Sequence, residues 1–451
     1  MSGASDLLVD HVLALQWADL PAQAQRAALS FLHDTLAVGV AGRNAPGADT
    51  VCALARHWSG RATHGCSMFG RPGVRAAAPY AAFVNAFQVP SQEFDCVHEP
   101  AVAHPLATVL SALLAQAQHD TPVTGADLLA ALVGGVDVVA TLGVAATTPL
   151  KFFRPATCGI FGSVAALCRL RRLGRAESIN AFGHALSFAS GTMQPHVEGK
   201  PTLALQVAAA ARSAVEAVDL AAAGFAAPQA SLDGPYGYLN LFENAHDMAR
   251  PLARLGKPHA ITELSWKPFP TGRAAHGGIV AIQTLAREHG VSADALGKLV
   301  SLEYHAPPLI ARLVGRSAFP AMGVAHARLC LPYLGAIALQ RGTVTLADFG
   351  PEQLADPATL ALAARISVHV NTNPDPAAFG PAELRAVLQD GRRIVLRVDR
   401  QFGSPAWPLS PADQRQKASD CLAFGGLGTA HQTLADAVRT LAEAADRKSV
   451  V

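Results

Sequence analysis

The densest group of ionisable side chains in the chain is Glu93, Asp95, His98 and Glu99, followed closely by His104. Carboxylates and imidazoles converging on one point suit general acid–base chemistry, in which one group takes a proton from carbon and another returns it. The group falls between two alanine-rich helical stretches, so it reads as a loop held on a rigid scaffold, where functional side chains concentrate. Two plainer readings stand beside this one. The residues can form a solvated loop in which Pro105 opens the next helix, or they can ligate a metal. Their spacing matches no helix-borne ligand pattern such as HExxH.

Three further stretches carry cations. In Lys151-Phe-Phe-Arg154-Pro-Ala-Thr157-Cys-Gly159-Ile-Phe-Gly162, the two glycines lead into a helix whose free N–H groups can receive an anion. Arg154 can grip a carboxylate with two parallel hydrogen bonds. The alternative is a tight helix start with a surface arginine. Glu198-Gly199-Lys200-Pro201 places one lysine between helices. In Trp266-Lys267-Pro-Phe-Pro-Thr-Gly-Arg273-Ala-Ala-His276, two prolines stiffen the backbone and set Arg273 and His276 three apart at a helix start. That stretch suits a substrate clamp at a domain boundary, or else a polar interdomain linker. GxSxG, Walker and dinucleotide fingerprints do not occur, so what remains is chemistry of acids, bases and cationic clamps. Proton abstraction beside a carboxylate fits that inventory.

The elements that must position these residues follow from periodicity. From Leu7 to about Phe225, apolar residues recur at three and four, which predicts packed helices. Ser5 is the expected cap of the first, and Pro21 opens the second. The others are expected at 47–58, 77–89, 105–119, 125–142, 159–173, 176–191 and 202–223. Near Pro258 the pattern changes. AITELSWKPFP, LVSLEYHAP, ARISVHVN and RRIVLRVDRQF alternate like strands, with helices at 274–288 and 320–341 between them. Ser410 to about Arg447 returns to helix. The fold class is therefore mainly α with a smaller α+β part: a discontinuous helical domain, 1–264 and 398–451, and an α+β lid, 265–397.

Composition narrows the function classes. The chain has 451 residues, of which 50% are hydrophobic and only 16% charged. That excludes disorder and leaves little charge to cover a lone monomer, so a homo-oligomer is expected. Leu128 to Leu150, the longest apolar stretch, is broken by Asp137 and three glycines, which argues against membrane insertion. A net charge of +2 argues against nucleic acid. MSGASDLLVD does not read as a signal peptide. The seven cysteines form no CxxC pair and read as reduced thiols, so a cytoplasmic location is expected.

The sequence resembles the MmgE/PrpD family over nearly its whole length. HDTLAVGVAG (33–42) is similar to the family's early Asp-Thr helix, and Asp95 with His104-Pro105 to its acidic loop and His-Pro motif. The helix from Gly125, Lys200 with the alanine-rich helix after it, Trp266-Lys-Pro-Phe-Pro, Leu331-Pro-Tyr333 and Pro408-Leu-Ser410 to Lys417 also fit. The resemblance implies a homodimer, with acid–base chemistry on a small di- or tricarboxylate between the helical domain and an α+β lid, without metal or organic cofactor. It implies His104, Glu93, Asp95, Lys200 and Lys267 as catalytic residues, and Arg154, Arg273, His276, His98 and Tyr333 as substrate contacts. His104 is the expected base, oriented by Glu93 or Asp95, and a lysine can be the second acid or base if burial lowers its pKa. Where lyases of the family usually have a histidine, this chain has Arg154. That substitution removes a candidate acid and adds a carboxylate clamp. It makes an epimerase resembling iminodisuccinate epimerase the first expectation, with a hydro-lyase or decarboxylase as the alternative. A metalloenzyme built on the 93–104 loop and a non-catalytic dicarboxylate-binding protein are further alternatives.

Overall fold

A computed structural model describes residues 3–60, 65–119, 123–291, 295–375 and 377–444. Among the described residues up to 222, eleven α-helices build most of the larger part: α1 (Ala4–Ala14), α2 (Ala22–Ala41), α3 (Ala48–Ser59), α4 (Ala78–Ser91), α5 (Pro105–His119), α6 (Gly125–Ala145), α7 (Arg154–Thr157), α8 (Gly159–Leu170), α9 (Arg175–Phe188), α10 (Gln194–Glu198) and α11 (Thr202–Ala222). A short hairpin, β1 (Cys66–Ser67) with β2 (Arg75–Ala76), interrupts them. Small side chains let the helix axes approach closely. A Cβ on Gly162 of α8 would lie 2.3 Å from Val139 and 2.6 Å from the Gly135 carbonyl of α6. A Cβ on Gly159 would meet Thr108 of α5 at 2.6 Å. These glycines thus serve packing, and the anion-receiving helix start read at 159–162 is closed by neighbouring side chains.

Helix α6 is long and apolar enough to cross a membrane by length and composition, with a mean hydropathy of 2.1, but 94% of that window is buried inside the protein. It is a core helix, and its buried carboxylate, Asp137, is hydrogen-bonded within the core. The first helix is capped differently from expectation. Asp6 reaches back to accept from the Gly3 N–H at 2.9 Å, while Ser5 lies inside the helix and pairs with Ser231.

The smaller part holds a four-stranded sheet in the order β4-β3-β5-β6. Strand β3 (Leu299–Ala306) runs parallel to β4 (Ile366–Val370) and antiparallel to β5 (Ala382–Leu388), which pairs with β6 (Arg393–Val398). Leu302, Tyr304 and Ala306 face the buried side, against helices His276–His289 and Leu331–Arg341, while Glu303 and His305 between them are half-buried. Two expectations differ here. AITELSWKPFP is not a strand: it forms a 3-10 turn, Ala260–Glu263, and then an irregular segment held by one antiparallel bridge, Val97 to Ser265. The expected helix at 320–341 is two pieces, Val324–Ala327 and Leu331–Arg341.

Two hydrophobic cores result. One gathers residues from Ala4 to Trp266 together with Leu346 and Leu409–Leu441; the other runs from Phe269 to Val398. The returning helix, Pro411–Phe424, begins with a reciprocal cap between Ser410 and Asp413 and packs on α2. Residues 445–447 of the expected terminal helix lie outside the described residues.

Candidate active site

The acidic loop is shaped by its backbone before its side chains. Glu93 and Val102 both have positive φ, 49° and 51°, a region that a β-branched residue such as valine rarely adopts. Between them the chain folds back on itself: His98 N–H donates to the Ala103 carbonyl at 2.9 Å, and Ala103 N–H returns to His98 at 3.3 Å. This doubling-back sets His104, at the start of α5, beside Asp95. Ser265 N–H donates to the Val97 carbonyl at 2.8 Å, which brings the Lys267 segment alongside. Gly403, with φ of 91°, accepts from Trp266 N–H on the other side; a Cβ there would meet the Trp266 carbonyl at 2.4 Å.

The resulting side-chain geometry is a dyad backed by an ammonium. His104 Nδ1 lies 2.8 Å from Asp95 Oδ2. The Asp95 carboxylate is buried. Burial alone would raise its pKa, but His104, then Lys267, outweigh that and hold it down at about 2. A carboxylate at Nδ1 fixes the proton there, which leaves Nε2 as the working nitrogen. Nε2 has no hydrogen-bond partner among the described residues, and His104 lines the main cavity. Lys267 is fully buried, 2.9 Å from Glu93 and 3.4 Å from Asp95. Burial works against its charge, yet the two carboxylates prevail and its pKa is raised. Lys267 therefore stays an ammonium and is not a proton-accepting lysine.

The cavity itself, about 260 Å³, lies between the two parts of the molecule. That is near the small end of ligand pockets, which run from about 300 Å³ upward. Glu93, His104, His196, Lys200, Arg273 and Arg328 supply its polar lining, and Leu150, Phe153, Met193, Val207 and Phe379 are among its apolar walls. Lys200 is exposed at its edge, on a turn where Gly199 has φ of 64° and a Cβ would press on His326 at 2.9 Å. Arg273 donates Nε–H to Glu99 at 2.7 Å and NH1 to the carbonyls of Trp266 and Phe402. Its NH2 is buried without a partner, a donor left over for an anion. Counting Lys267, cations outnumber carboxylates around the cavity, as a polyanionic ligand needs.

The other expected residues lie elsewhere. Arg154 is in a buried bidentate pair with Glu243, both bonds 3.0 Å, and it borders a second, larger cleft that shares Val102, Leu150 and Phe379 with the main cavity. Its fork is already occupied by a protein carboxylate. Tyr333 is fully buried in the smaller part's core and donates to the Asp348 carbonyl at 2.7 Å. His98 faces away from the main cavity onto a small separate one. His276 sits behind Arg273, 3.1 Å from its NH1, and burial followed by the Arg273 charge pushes its pKa down. The 93–104 loop forms no metal-ligand cluster among the described residues; the one such group is His11, Asp137 and His259.

Three contributors were not anticipated. Arg328 lines the cavity, stacks on Phe349 at 4.0 Å, and donates to the carbonyls of Gln92 and Pro270, both at 2.7 Å. It thereby ties the smaller part to the residue before Glu93. His196 is held neutral by burial, then by Arg316, with its pKa pushed down to about 4. Lys417, on the returning helix, pairs with Asp34 of α2 at 2.8 Å and donates to the Phe94 carbonyl at 2.8 Å. That contact fixes the acidic loop from behind. The available signal was Asp34 itself: a carboxylate inside the apolar run of α2 requires a buried partner.

Such a molecule is a two-domain scaffold with acid–base groups facing a cation-lined interdomain cleft. The chain belongs to the MmgE/PrpD family, whose N-terminal domain matches residues 6–251 and whose C-terminal domain matches residues 269–443. It is 27% identical to cis-aconitate decarboxylase of Mus musculus over 85% of this chain and 79% of that protein. It is 28% identical to cis-aconitate decarboxylase of Homo sapiens over 78% of this chain and 74% of that protein. It is also 26% identical to a cis-aconitate decarboxylase-like protein of Aspergillus oryzae, over 88% of this chain and 86% of that protein.

Proposed function

We propose that the protein is a lyase that decarboxylates an unsaturated tricarboxylate of the cis-aconitate type. The observation that carries this reading is the Asp95–His104 dyad, whose unpartnered Nε2 belongs to the lining of the cation-rich cavity. The relatives named as cis-aconitate decarboxylases support the same reaction class. The epimerase expectation rested on Arg154 replacing a histidine acid and adding a substrate clamp; the ion pair with Glu243 weakens the second of these supports.

The chemistry balances with acid–base groups alone. The C–C bond to the carboxylate on the CH2 carbon breaks, and its electron pair forms a new terminal double bond as CO2 leaves. The pair of the old double bond moves to the carbon beside the far carboxylate, giving an enediolate-like intermediate that still carries three negative charges until it is protonated. The unpaired NH2 of Arg273, with Lys200, meets that developing charge. His104, as the imidazolium, delivers a proton from Nε2 to the carbanionic carbon, and Asp95 stabilises the imidazolium before transfer.

Proton NMR in deuterated buffer tests this. With cis-aconitate, the expected result is a terminal alkene signal, one solvent deuterium in the product CH2, and release of CO2. Exchange of an α-proton in iminodisuccinate without CO2, or an alkene formed only from 2-methylcitrate, would overturn the decarboxylase reading in favour of an epimerase or a dehydratase respectively.

A further inference from the structure

Away from the cleft, three ligand-type side chains from three separate elements converge. His11 on α1 places Nε2 2.9 Å from Asp137 Oδ2 on α6, and His259 places Nδ1 2.7 Å from the same oxygen. All three donor atoms lie within 4.8 Å of one another. The second Asp137 oxygen accepts the Ala260 N–H at 2.7 Å, which orients the carboxylate and leaves Oδ2 for the two imidazoles. Asp137 and His259 are buried, and His11 is only 15% exposed.

The backbone around the group is shaped to admit both rings. Gly256 has φ of 70°, and a Cβ there would come within 2.8 Å of His11 Cε1 and 3.4 Å of His259 Cε1. A cavity of about 130 Å³ borders the group; its walls are mostly apolar, with Asp137, His98, Glu263, Arg250 and Arg254 among its polar lining. It has room for water, which occupies about 30 Å³ per molecule. His98, buried on the wall of that cavity, has Nε2 3.5 Å from the Glu263 carboxylate.

We propose that His11, Asp137 and His259 form a structural binding site for a divalent transition-metal ion, zinc in the first instance, with water from the adjoining cavity as a fourth ligand. Two imidazoles and one carboxylate select zinc over magnesium or calcium, which prefer all-oxygen shells. Tetrahedral zinc bonds of about 2.0–2.1 Å set donor atoms about 3.3 Å apart, so the two histidine–Asp137 separations, 2.9 and 2.7 Å, would each open by about half an ångström. Binding would fasten α1 and α6 to the segment leading into Ser265 and Lys267, and so act on the stability of the site's support. The proposal is independent of the reaction proposed for the cleft, which needs no metal.

The test uses the full chain, stripped with chelator and titrated with zinc chloride in a calorimeter, with thermal unfolding in parallel. The expected result is saturable binding of about one equivalent, with a rise in the unfolding midpoint. His11→Ala and His259→Gln should each weaken binding by about 10-fold or more while leaving turnover in the cleft unchanged. Asp137→Asn, which keeps the side-chain volume, should do the same to binding if the other variants prove unstable. X-ray absorption should find two imidazole nitrogens on the zinc. No saturable binding to the wild type would overturn the proposal, as would unchanged affinity in all three variants. Loss of binding only in His104→Asn would overturn it too, by moving the metal to the cleft.

Discussion

Replacing Asp95 by asparagine separates the dyad's chemical role from its structural one. The perturbation is nearly isosteric, and it removes the charge that His104 and Lys267 face. Asparagine can present either its oxygen or its NH2 to His104 Nδ1, so it no longer enforces a proton there. If Nε2 loses its defined role, turnover should fall by about 10²–10⁴, the usual contribution of a positioned acid–base group. The stability cost follows from the carboxyl itself. Its folded-state pKa is depressed from 3.8 to about 2, and at 1.36 kcal/mol per unit that is roughly 2 kcal/mol in favour of the charged form. Because the pKa is lowered on folding, this stability is present above about pH 4 and is lost as pH falls towards about 2. Urea unfolding at neutral pH should therefore show a loss of about 2 kcal/mol, and the variant should lack that stretch of acid sensitivity. Turnover within about threefold of wild type would refute the reasoning, since a general acid held by Asp95 cannot be dispensable. A stability loss with intact turnover would make Asp95 a purely structural partner of Lys267.

Lys267→Met leaves the buried Asp95 and the half-buried Glu93 without their shared ammonium and should cost roughly 3–5 kcal/mol in chemical denaturation, partly recovered by adding Glu93→Gln; a single-variant loss below about 1 kcal/mol would contradict the ion-pair geometry. Arg154→Met should destabilise by a similar amount, about 3–5 kcal/mol, and Arg154→Met with Glu243→Leu should largely restore stability. In neither case should the reaction products change, and a new product would return Arg154 to the substrate. His196 is held neutral down to about 4 by burial and Arg316, against 6.5 when unfolded, so folding loses stability as pH falls below about 6.5. Between about pH 7 and about pH 5 that amounts to about 2 kcal/mol. Urea midpoints of His196→Gln should be less sensitive over this range, and an unchanged slope would show that another group carries the effect.

How much of this was legible in the sequence depends on the range of the interaction. Helix existence was legible because the three-and-four periodicity of alanine and leucine is local; α5 begins and ends where that pattern does. Strand β5 was not, because AELRAVL is written in helix-forming residues; only Ala382, Leu384, Ala386 and Leu388 alternating into the core mark it as a strand, and antiparallel neighbours on both sides override propensity. The same limit governs the site. Glu93, Asp95 and His104 lie within one doubled-back loop, so their density was visible along the chain. Arg154 was legible as a cation but not as one already paired, since Glu243 is 89 positions away. Lys417 and Asp34 are 383 apart and Arg328 and Gln92 are 236 apart, yet they fix the loop that carries the acid–base chemistry. In a chain with so few charges, each buried one must find a partner, and a lone ion in an apolar run therefore points to long-range structure before it points to function. By that argument the cations to assign to substrate are those with donors left over. Arg273 NH2, Arg328 Nε and Lys200 meet that condition at the cleft, whereas the Nε–NH2 edge of Arg154 is taken up by Glu243.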